Sequence, residues 1–113
     1  MSKLSPLVLI EDMIESGNKI IAYTNNISFE DFINDGKTID AVVRNFEIIG
    51  EAANRLSDDF KHTHSNIDWQ RLRGFRNRIV HEYFGIDYVI VWNIKNLFLP
   101  DLIIKLKALI AEN

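Results

Sequence analysis

Apolar residues recur at intervals of three and four along almost the whole chain, which is the spacing that brings them onto one face of an α-helix. Residues that break helices are scarce, with two prolines and five glycines among 113 residues. The sequence therefore predicts an all-α fold, a compact bundle of four to five helices. Chains of this length seldom form two independent hydrophobic cores, so we expect residues 1–113 to form a single domain.

Helix-capping signals divide the chain into segments. A side chain that can accept a hydrogen bond from a helical N–H group precedes each apolar run, at Ser5, Ser28, Thr38, Asp68 and Asp87. The predicted helices cover residues 6–23, 29–33, 39–56, 69–84 and 88–113. The polar stretch between the third and fourth helices is expected to be the principal loop.

The predicted third helix has a clear apolar stripe and four charged residues on its outer face. At helical spacing these are Arg44, Glu47, Glu51 and Arg55. A row of exposed ion pairs explains them better than a catalytic pair of carboxylates. Gly50 lowers the stability of this helix by about 1 kcal/mol relative to alanine, which indicates that another backbone comes close there. In the last helix, Pro100 predicts a bend after Leu99.

The composition excludes several classes of protein. The chain has no cysteine, which rules out disulfides, iron–sulfur clusters and cysteine nucleophiles and is typical of a cytoplasmic protein. Its formal net charge is -3, so it lacks the positive field of a general nucleic-acid coating protein. Glu11 and Asp12 interrupt the first apolar run, so neither a signal peptide nor a membrane span is expected.

One short segment nevertheless concentrates positive charge. Four of the six arginines fall within eight residues and are followed by His81; they are Arg71, Arg73, Arg76 and Arg78. Such a strip attracts phosphate oxygens. A solvated basic face is the more common explanation for a run of like charges, and the composition alone does not decide between the two.

A helical wheel sharpens the question. On an ideal continuous helix, Arg76 falls inside an apolar arc of about 180°, where a guanidinium needs a phosphate partner, a carboxylate partner or a water-filled cleft. Glu47 and Glu51 are the candidate carboxylates. Asn77 and His81 would share a face, whereas Arg76 would lie about 140° from His81. Either the long side chain of Arg76 reaches round, or the helix is irregular, or a second copy of the chain completes the cleft by two-fold contact of this same segment. We favour the second copy.

These residues also belong to a longer string. Residues 75–87, FRNRIVHEYFGID, resemble the signature of the HEPN superfamily and in particular of the HepT-like toxins, in which Arg-Asn is followed after three residues by His and two residues later by Tyr. Further matches lie at 44–53 on the third helix, at Trp69 before the string, and at 87–88, Trp92 and 99–100 after it. The resemblance covers nearly the whole chain.

The resemblance implies a toxin of a type VII toxin–antitoxin system, a homodimeric endoribonuclease that needs no metal and no cofactor. Arg76, Asn77 and His81 would be the catalytic residues, and Arg71, Arg73 and Arg78 would bind RNA phosphates. The implied partner is a minimal nucleotidyltransferase antitoxin, which transfers AMP from ATP to Tyr83 and can form a larger hetero-oligomer. That AMP would carry a phosphate that can pair with Arg76 and exclude RNA.

The residue types suit this chemistry. An imidazole titrates near pH 6.5, about where the cell operates, so His81 can help to deprotonate an RNA 2′-hydroxyl or to protonate the departing 5′-oxygen. A bidentate guanidinium at Arg76 would hold the scissile phosphate and stabilise its extra charge. Asn77 would position the substrate, and attack by a 2′-hydroxyl predicts that DNA is not cut.

Other interpretations remain. The chain could be a noncatalytic helical module that engages a nucleotidyltransferase, with Arg76 in a buried structural ion pair. Tyr83 could be an amphipathic core residue with its hydroxyl at the rim. His62 and His64 lack the carboxylate partners of a recognised metal site, so we assign no metal. Trp69 and Trp92 are expected in the core rather than as stacking platforms for bases.

Overall fold

A computed structural model describes residues 5–81 and 85–112, with only the backbone of His81. In chain order its elements are α1 (Pro6–Tyr23), α2 (Phe29–Ile33), α3 (Gly36–Arg55), α4 (Asp58–Thr63), α5 (Trp69–Arg73), α6 (Phe75–Ile79), β1 (Val80–His81), β2 (Gly85–Ile86), α7 (Tyr88–Asn93), a π-helical turn (Ile94–Phe98) and α8 (Leu99–Ala111). The prediction of a compact all-α fold is confirmed. The helical segments outnumber the predicted helices because the fourth and fifth are each divided and because the predicted loop contains the short helix α4.

The two long helices α1 and α3 pack along each other, and α8 also packs against α1. Their apolar faces supply most of the core. The largest fully buried side chains include Phe32, Phe46, Phe75, Ile10, Met13, Ile20, Ile49, Leu72 and Leu106. Trp69 is buried as predicted, and its indole N–H donates to the backbone carbonyls of Lys61 and His64. No helix within residues 5–81 and 85–112 is long and apolar enough to cross a membrane.

Most predicted caps are observed. The hydroxyl of Ser5 and the carboxylates of Asp68 and Asp87 each accept from an N–H group of the first turn that follows, and Ser28 forms a capping box with Asp31. At α3 the prediction is wrong.

The cap of α3 is Asp35 rather than Thr38. The Asp35 carboxylate accepts from the backbone N–H of Thr38 at 3.2 Å and from its hydroxyl at 2.7 Å, so α3 starts at Gly36 and Thr38 is its third residue. The hydrogen bond from the Thr38 hydroxyl is the largest cause that lowers the pKa of Asp35 below its ordinary value.

The predicted loop at 57–68 contains one short helix, α4, which is capped by the Ser57 hydroxyl. The continuous helix predicted for 69–84 is wrong. Gly74 separates α5 from α6, and α6 ends at Ile79, where the chain becomes extended. β1 then pairs antiparallel with β2. β-branched Ile79 and Val80 favour extended backbone, and Gly85 has a φ of +77°, which glycine adopts without strain.

The C-terminal helix is also irregular, but the irregularity precedes Leu99 instead of following it. The π-helical turn connects α7 to α8, and Pro100 lies in the first turn of α8. Proline has no N–H to donate to the carbonyl four residues earlier, so a regular α-helical turn cannot close at this point. The wider π turn comes directly before the position of this missing hydrogen bond. It brings Phe98 against the ring of Phe75, with ring centroids 5.9 Å apart.

Candidate functional site

An open cleft lies between α3 on one side and α5 and α6 on the other. Its volume is about 510 Å³. Polar and charged residues dominate the lining, which consists of Glu47, Gly50, Glu51, Asn54, Gln70, Arg73, Gly74, Arg76 and Asn77. The cleft therefore contains three of the predicted site residues, which are Arg73, Arg76 and Asn77, together with both candidate carboxylates and with Asn54 and Gln70.

Gly50 sets the distance between the two walls. A Cβ atom at this position would lie 2.9 Å from the backbone carbonyl oxygen of Leu72, which is closer than real Cβ contacts allow. The backbone of α5 thus rests directly on α3, as the glycine in the third helix predicted. This contact positions the arginine-bearing segment against the charged face of α3.

Arg76 lies on the rim of the cleft and not in an apolar environment. Its side chain is 65% exposed, and its Nε lies 3.3 Å from Oε2 of Glu47. The apolar environment predicted for Arg76 is wrong because α6 ends at Ile79 and the chain is extended at Val80, so that within α6 only Phe75 and Ile79 are buried. The expected carboxylate partner is found at Glu47, while Glu51 pairs with Arg44 at 3.3 Å instead.

The α3 side of the cleft is a regular row. Glu47, Gly50, Glu51 and Asn54 follow one another at steps of three, one and three, so they share one face of the helix. The charges of this row were predicted from the sequence, whereas the cleft positions of Asn54 and of Gln70 on α5 were not. The helical spacing around Gly50 was the signal that would have found Asn54.

The arginine cluster divides between different surfaces. Arg73 and Asn77 line the cleft beside Arg76. Arg78 is exposed and does not line it. Arg71 turns away, with its guanidinium carbon 4.2 Å from the centroid of the Phe98 ring. Its Nε is buried and has no hydrogen-bond partner among the described residues.

The structure describes less of the two remaining motif residues, His81 and Tyr83. The backbone of His81 pairs with Gly85 in the short hairpin. Asn77 and His81 therefore do not share a helical face as predicted, because the chain is extended at Val80–His81. The side chain of His81 and the whole of Tyr83 lie outside the described residues. In the described part of the chain, no three His, Asp or Glu side chains gather in a way that could hold a metal ion.

Comparison with known proteins gives one family. The family model described as Ribonuclease HepT-like matches residues 13–109. No solved structure gives a significant match.

Several curated proteins are similar over most of their length. "Putative RNase MJ1380" from Methanocaldococcus jannaschii is 40% identical over 94 residues, which are 83% of this chain and 86% of that protein. "Putative RNase MJ0127" from the same organism is 34% identical over 112 residues, or 99% and 93% of the two chains. "Probable ribonuclease HepT" from Thermococcus cleftensis is 40% identical over 93 residues, or 82% and 84%.

Proposed function

Because the chain belongs to the HepT-like ribonuclease family, we propose that it is a metal-independent endoribonuclease that cuts RNA in the cleft between α3 and α5–α6. The observation that carries this proposal is the arrangement of Arg73, Arg76 and Asn77, which line one open cleft. Two cations and an amide suit a phosphodiester, which carries one negative charge shared by two non-bridging oxygens that both accept hydrogen bonds.

The ion pair with Glu47 is compatible with this role for Arg76. Ion pairs between solvent-exposed side chains are worth about 0 to 1 kcal/mol, because water and salt screen them. The Arg76 side chain is 65% exposed, and Glu47 contacts it at Nε. A substrate phosphate can therefore bind the guanidinium without first breaking a buried salt bridge.

The proposed reaction is an internal transesterification. The 2′-oxygen of the ribose attacks the adjacent phosphorus, and the bond from phosphorus to the 5′-oxygen of the next nucleotide breaks. The products are a 2′,3′-cyclic phosphate and a free 5′-hydroxyl. Arg76 stabilises the charge on the phosphate oxygens, Asn77 orients the phosphate, and His81 transfers the proton from the 2′-oxygen or to the 5′-oxygen.

The test of this proposal is cleavage of RNA in the presence of EDTA. We expect the purified protein to cut RNA into fragments that end in a cyclic phosphate, to leave DNA of the same sequence intact, and to lose activity in a His81→Ala variant. Mass spectrometry should first establish that Tyr83 carries no adduct. If unmodified wild-type protein cuts no RNA, the noncatalytic binding module is favoured.

We expect Arg73 and Arg71 to differ in their contribution to RNA binding. Arg73→Ala should reduce the slope of log affinity against log salt by about 0.7, the value for one phosphate contact with a single strand. Arg71→Ala should leave the slope unchanged, because that guanidinium packs on Phe98. Fluorescence anisotropy with a 2′-O-methyl RNA, which cannot be cleaved, measures the affinity of both variants at each salt concentration. An equal change in the two variants would contradict the assignment of Arg73 to the cleft.

Arg78 is exposed outside the cleft, and we assign it only a long-range attraction for RNA. An exposed cation raises the local concentration of a polyanion without touching the reacting phosphate.

The regulatory part of the proposal follows the family. We propose that the chain is a toxin and that a minimal nucleotidyltransferase antitoxin silences it by transferring AMP to Tyr83. The segment that carries Tyr83 follows the α6 helix of Arg76 and Asn77 in the sequence. Incubation with the antitoxin and ATP should add AMP to the wild-type protein and not to a Tyr83→Phe variant.

We further propose that the chain forms a homodimer through the region that carries the motif. Tyr88 and Val89 support this proposal. The two side chains, one aromatic and one aliphatic, come shortly after the hairpin, and both are exposed, Val89 by 57%. Exposed apolar surface next to a site of this kind is typical of a protein interface. Sedimentation velocity should show a dimer that a Val89→Asp substitution weakens.

A further inference from the structure

The carboxylate of Glu47 contacts Arg76 through the Nε atom of the guanidinium, at 3.3 Å. A guanidinium has five N–H donors, of which one is on Nε and four are on the terminal Nη atoms. A carboxylate that binds at Nε leaves the terminal atoms for another anion. This contact therefore fixes the arm of Arg76 without using the whole fork.

We propose that Glu47 is a positioning residue, which holds the Nε side of Arg76 so that the terminal amino groups face the substrate phosphate. This inference rests on the proposed ribonuclease function. It assigns no contact between Glu47 and the RNA.

The burial of the two side chains indicates that Glu47 positions Arg76 rather than the reverse. Glu47 is 27% exposed and stands on the 20-residue helix α3, whereas Arg76 is 65% exposed and stands on the five-residue helix α6. Glu47 is thus the anchored partner, and Arg76 has the freer arm. A long flexible arm loses rotational freedom when it binds a phosphate, and a carboxylate that holds it beforehand reduces that loss.

An opposing role for the same contact is that Glu47 competes with the phosphate for Arg76. In that case the carboxylate would inhibit, and its removal would raise activity. The two roles differ in the sign of the effect. The contact at Nε favours positioning, because a competitor would act most strongly by occupying the terminal atoms that bind a phosphate in the bidentate manner.

Glu51 supplies a matched control. It is four residues further along α3, lines the same cleft and pairs with Arg44 rather than with an arginine of α6. Its removal changes the charge of the cleft by the same amount as removal of Glu47. Any effect of charge alone should therefore appear in both variants, and an effect of positioning should appear only at Glu47.

The experiment measures kcat and KM for RNA cleavage by Glu47→Ala, Glu47→Gln and Glu51→Ala. We expect Glu47→Ala to lower kcat about two- to five-fold, because an ion pair with an exposed partner stabilises the position of Arg76 only modestly. Glu47→Gln should recover part of the loss, since it keeps the shape of the side chain and an oxygen beside Nε. Glu51→Ala should keep the wild-type kcat and show a lower KM, because a negative charge leaves the cleft.

The other outcomes are distinct. Higher activity in both Glu47 variants would overturn the inference and indicate competition. Equal kcat in Glu47→Ala and wild type would overturn it as well, and the proposed function would stand. A loss in Glu47→Ala that follows a lower melting temperature and that Glu47→Gln does not recover would indicate a structural role instead. Wild-type protein that cuts no RNA would overturn the proposed function and this inference with it.

Discussion

Replacement of Arg76 by alanine is expected to lower kcat for RNA cleavage by a factor of about one hundred to one thousand. The guanidinium is the charged group proposed to stabilise the phosphate as it gains negative charge, and loss of one such donor in enzymes costs about this much. Because the side chain is 65% exposed and its ion pair is screened by water, the fold should tolerate the change. Steady-state kinetics with a short RNA measure kcat, and thermal unfolding tests the fold.

Arg78→Ala is the control for this prediction. It removes the same charge from the same short helix at an exposed position outside the cleft. We expect KM to rise about two- to three-fold through weaker long-range attraction, with kcat unchanged. If the two variants lose kcat equally, net charge and not the position of Arg76 governs cleavage, and the assignment of Arg76 fails.

The second large effect concerns stability. Replacement of Gly50 by valine should lower the free energy of unfolding by about 3 kcal/mol, at the upper end of the range for overpacked cores. The first carbon of any side chain would lie 2.9 Å from the Leu72 carbonyl oxygen, which belongs to the backbone and cannot rotate away. For a small domain this corresponds to a fall in melting temperature of about 10 °C or more.

Gly36 provides the matched control at the other end of the same helix. No atom lies within 4 Å of a Cβ placed there, and the residue is the first of α3. Gly36→Ala should therefore be neutral or stabilise the protein by about 0.4 to 1 kcal/mol, through the smaller entropy of the unfolded chain. Calorimetry measures the stability of both variants. A Gly50→Val protein as stable as wild type would contradict the close contact of α3 with α5.

The Gly50 variant also tests how the cleft is built. If α5 has to move away from α3 to make room for the valine, the distance between Arg76 and Glu47 changes with it. We therefore expect the fraction of Gly50→Val that remains folded to cut RNA more slowly than wild type. The Arg76 variant, in contrast, should lose activity without loss of stability.

Local sequence determined most of the helices. The apolar spacing, the capping side chains at Ser5, Ser28, Asp68 and Asp87, and the glycine at position 50 act within one or two turns, so they can be recognised without knowledge of the fold. The same is true of the arginine-rich segment and of its resemblance to the HepT-like signature. The family assignment and the all-α class were therefore both accessible from the sequence.

Tertiary structure decided the geometry of the site. A wheel drawn over 69–84 assumes one continuous helix, and the break at Gly74 and the turn to extended backbone after Ile79 moved Arg76 from the predicted apolar face to the rim of a cleft. The partner of Arg76 could not be chosen between Glu47 and Glu51, because both lie on the same face of α3 and the choice depends on how α6 meets that face. Contacts between residues far apart in sequence follow from packing, and helical spacing alone contains no information about them.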